Sequence, residues 1–114
     1  MAEKQMEARL PECPVMITLS LIGSKWKISI LWALFNGKKR FGELRRLLGN
    51  ISQKVLTAQL RELEADGLVL RTVYSEVPPR VEYELTEQGR TLRPVFKALW
   101  DWGVNYQHSQ RAED

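Results

Sequence analysis

Ser52-Gln53-Lys54-Val55-Leu56-Thr57-Ala58-Gln59-Leu60-Arg61-Glu62-Leu63-Glu64-Ala65-Asp66-Gly67 is the stretch whose reading decides the fold. Leu56, Leu60 and Leu63 recur at helical spacing and make one buried stripe. The Ser52 hydroxyl stands where it can cap the free N–H groups of a first turn. Gly67 after Asp66 suits the left-handed residue that ends a helix. The opposite face carries Lys54, Thr57, Ala58 and Arg61 at i, i+3, i+4, i+7, with Gln53 in the first turn. Upstream, Phe41-Gly42-Glu43-Leu44-Arg45-Arg46-Leu47-Leu48 reads as a shorter helix broken at Gly49-Asn50. Downstream, Leu68 to Tyr74 is extended and rich in β-branched residues. A turn follows at Pro78-Pro79, where missing donors do no harm. Val81-Glu82-Tyr83-Glu84-Leu85 then alternates, with Val81, Tyr83 and Leu85 inward. Helix, turn, helix and hairpin in that order make a mainly α fold with a small β-hairpin, a winged helix-turn-helix.

In such a unit the second helix, residues 52–66, lies in a DNA major groove. Its outer face has the right chemistry. Lys and Arg pair with guanine, Gln with adenine, and Ala or the Thr methyl with the thymine methyl. This makes Gln53, Lys54, Thr57, Ala58 and Arg61 the candidate base readers; an ordinary solvated face is the alternative. Lys38, Lys39, Arg40, Arg45 and Arg46 cluster around the first helix, where cations fix register on phosphates; a solubility patch is the alternative there. Ser52 joins this backbone set. Glu62, Glu64 and Asp66 sit toward the far end of the second helix, away from the duplex. Arg80 stands at the tip of the wing (76–80), placed to enter a narrow minor groove, or else is simply exposed at a loop edge.

The chain resembles the HxlR-type winged helix-turn-helix regulators of bacteria, relatives in fold of the MarR type. The resemblance rests on pieces that follow the family order from Cys13 to Gly103. They are Cys13-Pro14-Val15, Ile22-Gly23-Ser24-Lys25-Trp26, Arg40-Phe41-Gly42-Glu43-Leu44, Ile51 to Leu56, Leu60 to Val69, Pro78-Pro79-Arg80-Val81-Glu82-Tyr83, Leu85-Thr86-Glu87-Gln88-Gly89 and Trp100-Asp101-Trp102-Gly103. It implies a homodimeric, non-enzymatic transcriptional regulator of double-stranded DNA. Carried over by position, Gln53, Lys54, Thr57 and Arg61 belong to the groove and Arg80 to the wing. Some members use a cysteine at the position of Cys13 to sense oxidants or electrophiles. Cys13 precedes Pro14 at a predicted helix N-terminus, a setting that favours the reactive thiolate. The adjacent Glu12 works against it, and an inert, partly buried thiol is the other reading.

Composition agrees. At 114 residues, with 44% hydrophobic and 27% charged residues, the chain is expected to form one globular domain (13–108) between a flexible N-terminal arm (1–12) and a frayed tail (109–114). The net charge of +3 is a weak argument for nucleic acid; the placement of the charges is the stronger one. One cysteine makes no internal disulfide, which fits the cytoplasm. Apolar runs fall short of the roughly 20 residues that span a bilayer, so no membrane partner is expected. A sole His108, far from Cys13, gives no nucleophile–base pair, and no metal-ligand spacing or phosphate loop occurs.

The remaining helices are assigned to dimerisation, about 13–23 and 87–107. Pro14 to Ile22 begins with proline at its first position. Ser24 caps a second helix, Lys25 to Asn36, closed by Gly37 and apolar nearly all round. The last helix starts at Thr86 or nearer Gly89, a choice that Pro94 leaves open. Val15, Phe96, Leu99, Trp100, Trp102 and Tyr106 are the expected dimer contacts, with Trp and Tyr as anchors; a tryptophan-rich monomer core is the alternative. Trp26 and Trp32 either line a cleft for a small aromatic effector or are packed core. A winged helix that binds a protein or small ligand instead of DNA is the competing function; it has no need of Lys54 and Arg61 on one face.

Overall fold

The computed structural model describes residues 13–113. Six helices and three strands follow in order: α1 (Pro14–Ile22), α2 (Lys25–Leu34), β1 (Lys39–Arg40), α3 (Phe41–Leu48), α4 (Gln53–Ala65), β2 (Val69–Tyr74), β3 (Arg80–Leu85), α5 (Glu87–Arg90) and α6 (Arg93–Glu113). The caps read from sequence are formed. Ser24 accepts from the Lys27 N–H at 3.1 Å, Ser52 from Val55 at 3.1 Å and Thr86 from Gly89 at 3.0 Å. Each satisfies a donor that a helix start leaves without an intrahelical partner. Gly67 has φ +75°, which lets the chain turn directly from α4 into β2.

The sheet is larger than the expected hairpin. Its antiparallel order is β1-β3-β2, and the two-residue β1 pairs Lys39 with Tyr83 and Arg40 with Glu82. Two residues carry no readable alternation, so this strand is created by its partner. β2 and β3 pair from Val69–Leu85 to Tyr74–Arg80. Leu56, Leu60 and Leu63 of α4 bury against Ile30, Leu31 and Leu34 of α2, Leu44 of α3, and Val69, Tyr83 and Leu85 of the sheet. Full burial of a leucine or isoleucine contributes about 1.5–3 kcal/mol, so this contiguous cluster holds the two helices of the helix-turn-helix to the wing.

Several boundaries differ from the sequence reading. α2 ends at Leu34, and Phe35-Asn36 form a turn before Gly37. The last helix is two: α5 stops at Arg90, and α6 restarts at Arg93 with Pro94 in its first turn. There the missing N–H has no intrahelical acceptor to lose, which resolves the proline without a kink. α6 continues to Glu113, so the tail expected to fray from residue 109 is helical as far as that residue. The expected arm, 1–12, lies outside the described residues.

α6 is about 31 Å long at 1.5 Å per residue, and much of it stands clear of the domain. The radius of gyration is 17.0 Å, against about 13 Å for a compact chain of 100 residues. No single helix among the described residues is long and apolar enough to cross a membrane; α1 and α2 together are apolar enough but bend by 80° at their junction.

Candidate nucleic-acid interface

The site is built on α4. Its apolar stripe is buried, so the opposite face is held outward by the same packing. Gln53, Lys54, Thr57, Ala58 and Arg61 line one open, shallow surface. All are exposed except Thr57, which is half-buried. Neither Lys54 nor Arg61 has a carboxylate within 4 Å or a side-chain hydrogen bond among the described residues.

The other predicted cations are placed differently. Arg40 and Arg46 are exposed on α3 and its approach, and the Arg40 N–H donates to Glu43 at 2.9 Å, which closes the start of that helix. Arg45 donates through Nε to the Ile51 carbonyl at 3.4 Å, tying α3 to the turn before α4. Lys39 donates to the Gly37 carbonyl at 3.3 Å, and Lys38 lies 3.8 Å from Glu82.

Arg80 departs most from expectation. It is the first residue of β3, not a free tip, and its guanidinium stacks 4.0 Å over the Tyr74 ring. Glu76 and Glu82 hold it at 3.1 and 3.9 Å. The hairpin folds back far enough to put an aromatic and two acids around it, and that packing binds the arginine to the wing. Glu84 pairs with Arg90 at 3.7 Å. The wing is therefore largely neutralised within itself.

Two residues emerge that sequence reasoning passed over. Lys27 of α2 is buried and pairs with Glu62 of α4 at 2.9 Å; beside it Ser24 donates to Gln59 Oε1 at 3.3 Å. These polar links join α2 to the back of α4. Arg71 of β2 lies across from Tyr83 and shares a second cleft with Thr57, Arg61 and Glu64. Strand parity with Val69 was the available signal, because both point toward α4.

Phe96, expected on a dimer face, is instead 3% exposed in the chain's own core. It stacks on Trp32 at 5.9 Å and meets Phe35 edge-on at 5.2 Å, because the restart of α6 turns it back onto α2. Val15, Leu99, Trp100, Trp102 and Tyr106 are exposed, Trp102 by 68%. Trp32, Phe35, Arg93, Phe96 and Trp100 line a cleft of about 480 Å³, and Trp26 with Trp32 lines a second. Cys13 is a free thiol, 3% exposed, at the N-cap of α1.

The HxlR-like helix-turn-helix family matches residues 21–111. The HTH-type transcriptional regulator YdeP of Bacillus subtilis is 57% identical over 94 residues, 82% of this chain and 73% of that protein. Among solved structures, the redox regulator HypR superposes in its reduced form with a TM-score of 0.82 at 50% identity, covering 87% of this chain and 98% of that one. In its oxidised form the values are 0.77, 55%, 82% and 96%. A MarR-family regulator of Enterococcus faecalis V583 superposes at 0.78 with 46% identity, over 86% of this chain and 89% of its own. With this winged helix-turn-helix and these relatives, the chain belongs to the HxlR-like family of transcriptional regulators.

Proposed function

We propose that this protein is a homodimeric, sequence-specific DNA-binding regulator that acts in the cytoplasm by laying α4 in the major groove of an inverted repeat. The observation that carries this is the single exposed surface of Gln53, Lys54, Thr57, Ala58 and Arg61, with both cations free of carboxylate partners. Long side chains left unpaired beside capped, packed neighbours are available to phosphates and base edges. Arg40 and Arg46 extend the charge along α3 toward the DNA backbone. A two-fold dimer reads half-sites one turn apart, about 34–36 Å, or a multiple of it.

Dimerisation is supported by the exposed apolar side chains of α1 and α6. Val15, Met16, Ile17 and Leu19 on one, and Leu99, Trp100, Trp102 and Tyr106 on the other, are more apolar surface than scattered exposure explains. Sedimentation of a single 13.2 kDa species at micromolar protein removes the dimer.

Two inputs belong to the finer part of the reading. Cys13, at the start of α1, is the oxidant input, supported by likeness to the redox regulator HypR. Cys13 is 3% exposed, so a local opening around it must precede attack by an oxidant on Sγ. With one cysteine per chain, oxidation yields a Cys13–Cys13 bridge between protomers or a mixed disulfide with a small thiol. The Trp32–Trp100 cleft, with Arg93 at its rim, suits a small aromatic anion; unquenched tryptophan fluorescence across a panel of aromatic acids argues against that input.

The deciding experiment is fluorescence anisotropy on a labelled duplex from upstream of the protein's own gene, beside a scrambled duplex, each at two salt concentrations. Sequence-specific regulation predicts nanomolar binding to the first and binding at least about a thousandfold weaker to the second. Weak binding equal for both, collapsing with salt, leaves phosphate contact alone. The winged helix then serves a protein or small ligand instead.

A further inference from the structure

The cleft between α4 and the sheet is lined by Thr57, Arg61 and Glu64 from the helix and by Arg71 and Tyr83 from the sheet. We propose that it seats one phosphodiester of the DNA backbone, with Arg61 and Arg71 as the two arms of a clamp. This rests on the DNA-binding reading above and deepens it: Arg71 joins the interface, and Arg61 passes from reading a base to holding a phosphate.

Four observations converge on this. First, Arg71 and Arg61 come from different elements and meet across one opening; the cross-strand pairing of Arg71 with Tyr83 puts its side chain on the α4 side of the sheet. Second, neither guanidinium has a carboxylate within 4 Å or a side-chain hydrogen bond among the described residues. By contrast, Lys27, Lys38, Arg80, Arg90 and Lys97 are all ion-paired. Third, Thr57 and Tyr83, which line the cleft, each carry a hydroxyl, a neutral donor. Glu64 is the one carboxylate; the clamp brings it beside the duplex, contrary to its expected place away from it, and the two guanidiniums still leave the cleft net positive. Fourth, the cleft is small, about 280 Å³, at the lower edge of the roughly 300–1,000 Å³ of sites for organic ligands. Its lining is polar, where such sites are mostly apolar. Paired guanidiniums suit phosphate oxygens through their fork of N–H donors. A phosphate seated here fixes how deeply α4 enters the groove while Gln53 and Lys54 meet the bases.

The test uses the full chain and the two duplexes described above, with Arg61→Ala, Arg71→Ala, the double variant and, as a charge control remote from the cleft, Arg111→Ala. Each cleft variant is expected to weaken native and scrambled duplexes alike, by on the order of tenfold. The double variant should lose less than the product of the single losses, because both arms hold one phosphate. Because each protomer of the dimer seats one such phosphate, the double variant's salt slope should fall by about 1.8. Arg111→Ala should leave affinity and slope in place, and Arg71→Lys should recover part of the loss through charge without the fork. Unfolding midpoints read alongside separate a lost contact from a lost fold. Wild-type binding with no change on Arg71→Ala overturns the clamp and leaves the DNA reading intact. Losses confined to the native duplex, or single losses that multiply fully, also overturn it. A wild-type chain that binds neither duplex overturns the DNA reading and the clamp together.

Discussion

Replacing Glu62 by alanine isolates the half-buried ion pair behind α4. Lys27 Nζ lies 2.9 Å from Glu62 Oε1, with the lysine side chain 10% exposed and the glutamate 56%. Removing one partner of a fully buried pair costs about 3–5 kcal/mol, because the remaining charge is left desolvated. Water reaches Glu62 here and would partly solvate the orphaned ammonium, which lowers the expected cost to about 1–2 kcal/mol. Alanine is the best helix former, so any loss of propensity has the wrong sign to explain a destabilisation. For a domain of this size that cost lowers the thermal midpoint by roughly 4–15 °C, measured at fixed protein concentration because a dimer's midpoint depends on it. Lys27→Met offers the asymmetric control. It removes the charge and keeps the volume, so its cost should stay under about 1 kcal/mol, with the exposed Glu62 left to water. Glu62→Ala within about 0.3 kcal/mol of wild type, or Lys27→Met costing more than Glu62→Ala, refutes the reasoning.

Leu60→Ala, at a side chain 1% exposed in the centre of α4's stripe, should cost about 2–5 kcal/mol in urea unfolding. Ser52→Ala removes the acceptor for the Val55 N–H and should cost about 1 kcal/mol on the same assay; a much larger loss would give Ser52 a further role. Arg80→Ala should change DNA affinity less than Arg61→Ala in anisotropy, because Arg80 is already engaged by Glu76, Glu82 and Tyr74. If Cys13 is the oxidant input, diamide should release DNA from the wild-type chain and spare Cys13→Ser.

What could be read in one dimension was local. The stripe of Leu56, Leu60 and Leu63, the hydroxyls of Ser24, Ser52 and Thr86, Gly67 and the alternation of Tyr83 and Leu85 each act within a few residues of themselves. The corresponding helices, caps and strands are all present. The outer face of α4 followed from the same arithmetic, since a helix with one buried stripe presents its other side. Pro94 shows the limit of that reasoning: its effect depends on where the helix starts, and the start at Arg93, which turns Phe96 onto Trp32 and Phe35, is a tertiary fact.

Sequence alone determined the winged helix-turn-helix and the face of α4 that is left outward, because periodicity and capping are short-range signals. Tertiary structure alone decided which charges stay free. Lys27 finds Glu62 thirty-five positions away, Lys38 finds Glu82, Arg80 is gathered in by Glu76 and Glu82, and Arg71 is turned toward α4 by its register with Tyr83. An ion pair or a shared cleft is a relation between elements distant in the chain. No local pattern encodes it, because side-chain charge carries no mark of the partner that folding brings within 4 Å.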